Sequence, residues 1–534
     1  MGRTVRDAAF ETMRRLRLTT IFGNPGSTEI PFLTDLPGDF EFVLGLHEGS
    51  VVGMATGYAI AREQPSFVNL HTTPGLGNAV NALACARDNR APLVVVVGQQ
   101  DRRQVALAPF LTGHGLDRLA GDYPVWSKLP ERAQDVPGAI ARAWQEAQLG
   151  RGPALVVVPM GDWDEPADDS GLVAGAPDHV GPALLPAEAE LDRLAELFEA
   201  AAAPALVVGA GADSPEGWAA LVALAERLRC PVWQEPFGSR AGFPQDHPLF
   251  AGHLPWQRDA FRAALGESDL VVAIGTNAFK LYLYSPGPVV PEGARVAVVS
   301  DDREEVMRSP CELALLAAPA GVCRMLASRV AQRDSEPPPA YVRPPAPKPP
   351  AAGETLLAGH VLAALAERLP ADAVLVEETP SSRPELHARI AAREPLGFVS
   401  GANGGLGFGL SGAIGLRMGL PARPVVAVLG DGSTMYAIQA LWSAARYGVG
   451  VVFVVMANNG YAVMNGLARD RGGAGAWPAF DGVDIALLAR GLGCDALKVE
   501  THDELIEALD GAIPGAMRRR TPLLIQVAVD PAAP

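Results

Sequence analysis

The stretch VVAVLGDGSTMYAIQALWSAARYGVGVVFVVMANNGY, Val425 to Tyr461, decides the fold. It opens on a β-branched run (Val425 to Leu429), turns tightly at Gly430-Asp431-Gly432, and continues with helix-period residues from about Thr434 to Tyr447. A second apolar run, Val451 to Met456, closes it. Strand, helix and strand of this length make a βαβ unit, whose right-handed crossover brings the carboxyl ends of both strands to one sheet edge. Asp431 and Asn458, 27 positions apart, then face a single site. Gly432 leaves room for a close ligand, and Gly460 allows a turn that presents a main-chain carbonyl. Carboxylate, amide oxygen and carbonyl form a hard-oxygen set suited to Mg²⁺ or Ca²⁺, with positions left for phosphate oxygens and water. A Gly-Asp-Gly turn beside an unrelated Asn-Asn loop is the plain alternative.

The same construction extends outward. Short β-branched runs alternate with Ala-rich helical segments at Thr20 to Phe22, Phe42 to Leu46, Phe67 to His71, Leu93 to Gly98 and Ala154 to Val158. They recur at Ala205 to Val208, Leu270 to Ile274 and Arg295 to Val299, and again at Ala373 to Val376 and Leu523 to Val527. This alternation marks parallel α/β folding. The segment DSEPPPAYVRPPAPKPPAAG, Asp334 to Gly353, holds eight prolines in twenty residues and reads as an extended linker. A softer boundary falls at Pro166 to Pro186. The expected organisation is therefore three consecutive doubly wound parallel-sheet α/β domains, at 1–180, 181–333 and 354–534, with the linker at 334–353. No residue-level internal repeat is visible.

Composition limits the function. Of 534 residues, 49% are hydrophobic and 19% charged, which excludes disorder as the main theme. The net charge of −16 argues against a sequence-independent grip on nucleic acid or on an anionic membrane. Between Phe398 and Ala468 there is no Lys and only Arg417, Arg423 and Arg446, so a diphosphate here would depend on a metal and on backbone amides. Cys85, Cys230, Cys311, Cys323 and Cys494 show no metal or disulfide spacing. The charged N-terminal stretch lacks the apolar core of a signal peptide, and no apolar run reaches the ~18 residues needed to cross a bilayer. A cytoplasmic protein is expected.

In FVLGLHEGSVVGMATGYAIA, Glu48 stands between a buried-type strand and a helix apolar on nearly all sides. A carboxylate there gains from the helix N-terminus but is costly without a donor. It reads either as a functional acid or as a first-turn helix Glu. His71 ends a strand and would by default be a core histidine, and Ser27 serves equally well as a cap of the following turn. Gly407, Gly409 and Gly412 match G-x-G-x-x-G but follow the Gly-rich SGANGGL rather than a strand. After Ala205 to Val208, Gly209 and Gly211 are better placed, but Ser214 stands where the third glycine belongs.

The GDG turn and the later Asn resemble the metal and diphosphate motif of thiamine-diphosphate-dependent enzymes. Here the first Asn of the usual pair is Ala457. FGNPGSTEIPFL (Phe22 to Leu33), LHEGSVVGMATGYA (Leu46 to Ala59), NLHTTPGLGNA (Asn69 to Ala79), PLVVVVGQQ (Pro92 to Gln100) and GGLGFGLSGAIG (Gly404 to Gly415) carry a closer resemblance, to benzoylformate decarboxylases and related 2-oxo acid decarboxylases. The resemblance implies that the three domains are pyrimidine-binding, central Rossmann-like and diphosphate-binding. It assigns Asp431, Asn458 and the Gly460 carbonyl to the metal. Ser381, Gly430, Gly432, Ser433 and Tyr461 fall to cofactor contacts, with Gly404 and Leu406 under the pyrimidine and Leu406 propping the bent cofactor. Glu48 would hydrogen-bond a pyrimidine nitrogen, Ser27 the substrate carboxylate, and His71 would handle protons. The central-domain histidine of benzoylformate decarboxylases is Tyr282 here, a poor proton shuttle at neutral pH. Phe110, Leu111, His114, Met464 and Leu467 align with the substrate pocket, although core packing, or a surface loop for His114, explains them as well.

The implied activity is decarboxylation of a 2-oxo acid to an aldehyde with thiamine diphosphate and Mg²⁺, Ca²⁺ being an admissible substitute. Carboligation is the runner-up. A flavin- or nucleotide-binding oxidoreductase built on the central domain is the alternative of another class, and a non-catalytic cofactor-binding relative a third. The family places its cofactor between the first domain of one subunit and the third of another, so a homodimer or homotetramer is implied, with no nucleic acid and no membrane partner.

Overall fold

The computed structural model describes residues 2–168, 180–181, 185–277, 279–351, 353–480 and 482–530. Most of the soft boundary at 166–186 thus lies outside the described residues. Among the described residues, eighteen strands fall into three six-stranded sheets, and every pairing between them is parallel. Such sheets need helices on both faces, which explains why their central strands read as continuous apolar runs.

The first sheet comprises β1 (Thr20–Asn24), β2 (Glu41–Leu44), β3 (Ser66–Leu70), β4 (Leu93–Gln99), β5 (Trp126–Lys128) and β6 (Pro153–Pro159). The second comprises β7 (Pro204–Val208), β8 (Val232–Gln234), β9 (Phe250–His253), β10 (Leu270–Ile274), β11 (Arg295–Ser300) and β12 (Leu313–Leu316). The third comprises β13 (Val374–Glu378), β14 (Phe398–Ser400), β15 (Val425–Gly430), β16 (Val452–Ala457), β17 (Asp495–Val499) and β18 (Leu523–Ala528).

Sheets one and three share one strand order. The first runs β2-β1-β3-β4-β6-β5 and the third β14-β13-β15-β16-β18-β17, the same order once twelve is subtracted. The second, read from its β9 edge, runs β9-β8-β7-β10-β11-β12, which is the 3-2-1-4-5-6 order of dinucleotide-binding domains. The repeat invisible in the residues is therefore present in the topology.

A glycine-faced seam joins the outer two sheets. Gly53 and Gly57 of helix Glu48–Arg62 face Ser411 and Gly412 of helix Phe408–Gly419, while Gly415 and Gly419 of the latter face Met54, Tyr58 and Ala61; Gly53 and Gly57, like Gly415 and Gly419, are spaced by four and so share one helix face. A Cβ on Gly57 would stand 2.0 Å from the Gly412 carbonyl oxygen, and one on Gly415 would stand 1.8 Å from that of Met54. The two backbones touch, and one apolar core runs continuously from Phe22 and Val43 through this seam to Val376 and Leu429.

Three sequence expectations are corrected. The crossover helix after β15 begins at Asp431 rather than near Thr434, and it breaks into Asp431–Tyr436 and Ala440–Arg446. Between them the amides of Ala437 and Ala440 bond three residues back, to the carbonyls of Thr434 and Ala437, a tighter winding than the α-helical one. β2 ends at Leu44, and β3 ends at Leu70, so His71 caps the next helix (Thr72–Asp88) instead of closing the strand. Among its described residues the proline-rich segment carries no helix or strand but is strapped down, with Arg343 donating to the carbonyls of Gln245, His387 and Ala388.

Candidate active site

The carboxyl ends of β1, β2 and β3 carry one group of predicted residues, and those of β13, β15 and β16 the other. In each sheet the loops after the first and third strands flank the point where strand order reverses, the usual ligand crevice of an open α/β sheet.

Glu48, 7% exposed, opens its helix, where His47 caps by accepting from the Gly49 amide. The donors its burial demands are present within the chain: Asn24 Nδ2 donates to Oε1 at 2.9 Å and Asn78 Nδ2 to Oε2 at 3.1 Å. Two neutral amides and the helix N-terminus hold the carboxylate without a cation.

Ser27 is the exposed first residue of a 3₁₀ turn (Ser27–Glu29), whose N-cap is Gly26 rather than Ser27. The residue that organises this turn is one the sequence reading missed. Glu29, 1% exposed, accepts from the Gly26 amide at 2.8 Å and from Thr28 Oγ1 at 2.6 Å, and its Oε2 lies 3.0 Å from His71 Nδ1. Burial pushes the Glu29 carboxyl above its usual range, while Thr28, Gly26 and His71 pull it down. With Glu29 ionised, His71 Nδ1 is the nitrogen that donates to it, and Nε2 takes no part in this contact. Two glycines make room: a Cβ on Gly98 would sit 1.9 Å from Glu29 Oε1, and one on Gly26 would sit 2.5 Å from the His71 ring. The signal that could have found Glu29 is its place three residues after Gly26 at the start of a turn, the carboxylate half of a capping box. Buried Thr72, directly after His71, has φ +21°, backbone strain located at this site.

Across the third sheet, parallel pairing of β15 with β16 sets Gly430 beside Met456, which brings Asp431 and the Asn458-Asn459-Gly460 turn together. Asp431 Oδ1 accepts from the Gly432 amide at 2.7 Å and Oδ2 from the Asn459 amide at 2.6 Å, while Asn458 Oδ1 accepts from the Gly460 amide at 3.2 Å. Burial raises the Asp431 carboxyl, and the opposing influences are backbone amides alone. A buried carboxylate with no cationic side chain beside an amide oxygen is a set that fits a hard divalent cation. The left-handed residue of the turn is Asn459, φ +57°, and not Gly460. Gly432 has a packing requirement of its own, since a Cβ there would stand 3.0 Å from the Tyr461 ring and 3.1 Å from Phe480. Ser433 is buried, and Ser381 Oγ accepts from the Val463 amide at 3.2 Å, tying the loop after β13 to helix Ala462–Asp470.

The glycine-rich loop before helix Phe408–Gly419 is clamped by Glu378, whose carboxylate accepts from the amides of Gly407 and Gly409 at 2.9 and 2.7 Å. Asn81 donates to the Leu406 carbonyl at 3.2 Å, so the first domain reaches this loop within one chain. Gly404 has φ +72° and open space on its Cβ side.

The pocket candidates divide. Phe110 is 88% exposed, Met464 is 42% exposed, His114 is exposed, and Leu111 and Leu467 are half-buried, so core packing does not explain Phe110 or Met464. Tyr282, 49% exposed, packs edge-on against Phe237 and Trp256. In the second sheet the crevice beside Gly209 and Gly211 is filled by the protein. A Cβ on Gly209 would meet Glu235 Oε1 at 2.3 Å, and one on Gly211 would meet Gly275 Cα at 2.8 Å.

Three family descriptions match: thiamine pyrophosphate enzyme, N-terminal TPP binding domain, over residues 3–120; central domain over 191–326; and C-terminal TPP binding domain over 384–527. The benzoylformate decarboxylase of Pseudomonas aeruginosa is 39% identical over 531 residues, covering 98% of both chains. A solved thiamine diphosphate-dependent 4-hydroxybenzoylformate decarboxylase of Rhodococcus jostii RHA1 superposes with a TM-score of 0.93 at 35% identity, over 99% of each chain. A benzoylformate decarboxylase from Polynucleobacter necessarius gives 0.94 at 34% identity, again over 99% of each. Matched along its whole length and in each of its three domains, the chain belongs to the thiamine-diphosphate-dependent 2-oxo acid decarboxylases, in the group of the benzoylformate decarboxylases.

Proposed function

We propose that this carboxy-lyase, with thiamine diphosphate and Mg²⁺, converts a 2-oxo acid of the benzoylformate type into an aldehyde and carbon dioxide. The observation that carries the reading is the pairing of two buried acids in complementary settings. Glu48 accepts from two neutral amides at a helix start, and Asp431 is buried without a cation beside Asn458. Bound thiamine diphosphate supplies a nucleophilic carbon and a sink for the electrons released as carbon dioxide leaves.

The chain's own residues do the rest. Asp431, Asn458 and the Gly460 carbonyl would hold the metal, which would supply the positive charge a diphosphate needs in a region poor in basic residues. Glu48 accepts or shares the pyrimidine proton. Ser27, exposed on its turn, orients the substrate carboxylate. His71 exchanges a proton at Nε2 while Glu29 fixes Nδ1. Tyr282, set between Phe237 and Trp256, supports an aryl-bearing substrate by stacking rather than by proton transfer. The exposure of Phe110 and Met464 in a single chain supports a homodimer or homotetramer in which a second copy closes the pocket. Among the described residues no helix is long and apolar enough to cross a membrane, and the five cysteines are free, which supports a cytoplasmic setting.

The test is a panel of aryl, branched and short-chain 2-oxo acids given to protein loaded with thiamine diphosphate and Mg²⁺, with carbon dioxide and organic product both measured. Fastest turnover of an aryl 2-oxo acid to its aldehyde is expected. Acyloin as the main product, or turnover confined to short aliphatic acids, would refute the substrate assignment.

A further inference from the structure

The second domain reaches the glycine-rich loop of the third through one cation. Lys280, in the segment after β10, places Nζ 2.7 Å from the Ala402 carbonyl oxygen. On residues 401–407 it is the only charged side-chain donor described. The other ties come from a carboxyl and from neutral groups: the Gly407 amide donates to Glu378, Asn81 to the Leu406 carbonyl, Ser411 Oγ to the Gly407 carbonyl and the Gly405 amide to Asn403 Oδ1. Just upstream, the Ser400 amide donates to the Ser239 carbonyl at 2.8 Å, which anchors the start of the loop to the second domain as well.

We propose that Lys280 is a positioning residue: seated on the Ala402 carbonyl, it fixes the loop that presents Gly404 and Leu406 and sets its distance from the Tyr282 side of the pocket. This rests on the cofactor reading given above. Three features support it. A charge-assisted bond to a backbone carbonyl is stronger than a neutral one, and with Glu378 holding the Gly407 end, Lys280 is the charged tie at the Ala402 end. The Lys280 stem is half-buried and its charge is the main influence opposing the burial of Glu235, whose carboxyl burial pushes up, so the ammonium has a reason to stay in place. Two residues further on, Tyr282 is pinned by its own amide to the Trp256 carbonyl at 3.3 Å. One short segment therefore carries both the tie to the cofactor loop and the aromatic wall, and the second domain acts on the site through it.

The experiment compares wild type with Lys280→Met, which keeps the stem and removes the donor, and Lys280→Arg, which keeps a charged donor. Hydrogen exchange of residues 400–409 is followed with and without thiamine diphosphate and Mg²⁺, and cofactor affinity is measured by calorimetry. Lys280→Met is expected to raise exchange in 400–409 and weaken cofactor binding about tenfold, and Lys280→Arg to restore both to within about threefold. Unchanged loop exchange and unchanged affinity in Lys280→Met, even with a lowered Tm, would overturn the proposal. If wild type fails to bind thiamine diphosphate, the cofactor reading falls, and the loop exchange still decides whether Lys280 holds 401–407. Lys280→Gln, a neutral donor, replaces the methionine variant if that one does not fold.

Discussion

Glu29 and His71, 42 positions apart, meet with Oε2 3.0 Å from Nδ1, and the carboxylate is more deeply buried than the imidazole it orients. In the proposed mechanism an ionised Glu29 fixes the proton on Nδ1 and leaves Nε2 to exchange protons, so that Glu29 acts through His71. Positioned acid–base groups are worth roughly 10²–10⁴ in rate, and an orienting partner is worth the lower part of that range. Glu29→Gln should reduce kcat about a hundredfold, shift the pH profile, and leave thiamine diphosphate affinity within about threefold of wild type. Unchanged kcat with an unchanged pH profile would show the pair to be structural only.

The glycine seam sets a steric prediction. Gly415→Ala would drive a methyl to 1.8 Å from the Met54 carbonyl oxygen, a backbone atom that no rotamer can move aside. Overpacking of this kind costs about 3 kcal/mol or more. A lowered urea midpoint in Gly415→Ala, with Gly466→Ala as a control where a Cβ meets nothing, is the expected result. Equal midpoints for the two variants would mean that the helices separate freely.

Glu378 gives a pH prediction. Its carboxyl is pushed up to about 7, foremost by burial, against the pull of the Gly407 and Gly409 amides. A folded value above the unfolded one means the folded state holds the proton more tightly. The associated stability is complete below the ordinary carboxylate range and is lost as pH rises through about 7. The swing is about 3 kcal/mol. Between pH 5 and pH 7.5 wild type should lose more stability than Glu378→Gln, read as the difference of urea midpoints. A difference independent of pH contradicts the assignment.

The two acids of the proposed site separate into different failures. Glu48→Gln should keep cofactor bound and lower turnover by orders of magnitude. Asp431→Ala, or removal of divalent metal with a chelator, should abolish cofactor binding instead. Calorimetry of thiamine diphosphate with each variant distinguishes them, and near-normal turnover in Glu48→Gln would remove that residue from the chemistry.

What could be read from the sequence depended on how local each signal was. β4, β6, β10 and β15 announce themselves as buried β-branched runs because both faces are covered. The overlooked strands β5, β9, β12, β14 and β17 are sheet edges of three to five residues, and β8, of three, adjoins one. Most are too short for a run to show, and β17, as long as β10, is covered on one face only and carries Asp495 and Lys498. Asp431, Asn458 and Glu48 were legible because glycines or strand ends beside them mark the turn. Glu29, Asn24 and Asn78 were not, since each acquires its role from a partner more than twenty positions away. Packing against Tyr461 and Phe480 gives Gly432 a requirement the sequence did not show, and Asn459, not Gly460, takes the left-handed conformation in the turn.

The seam between the first and third sheets also bears on dilution. These two like-ordered domains are tethered through the second domain and the strapped proline segment, so they meet at a fixed effective concentration whatever the protein concentration. Contacts between copies have no such tether. Activity lost on dilution would therefore count subunit separation alone, while Asn81 keeps its hold on Leu406 within every isolated chain.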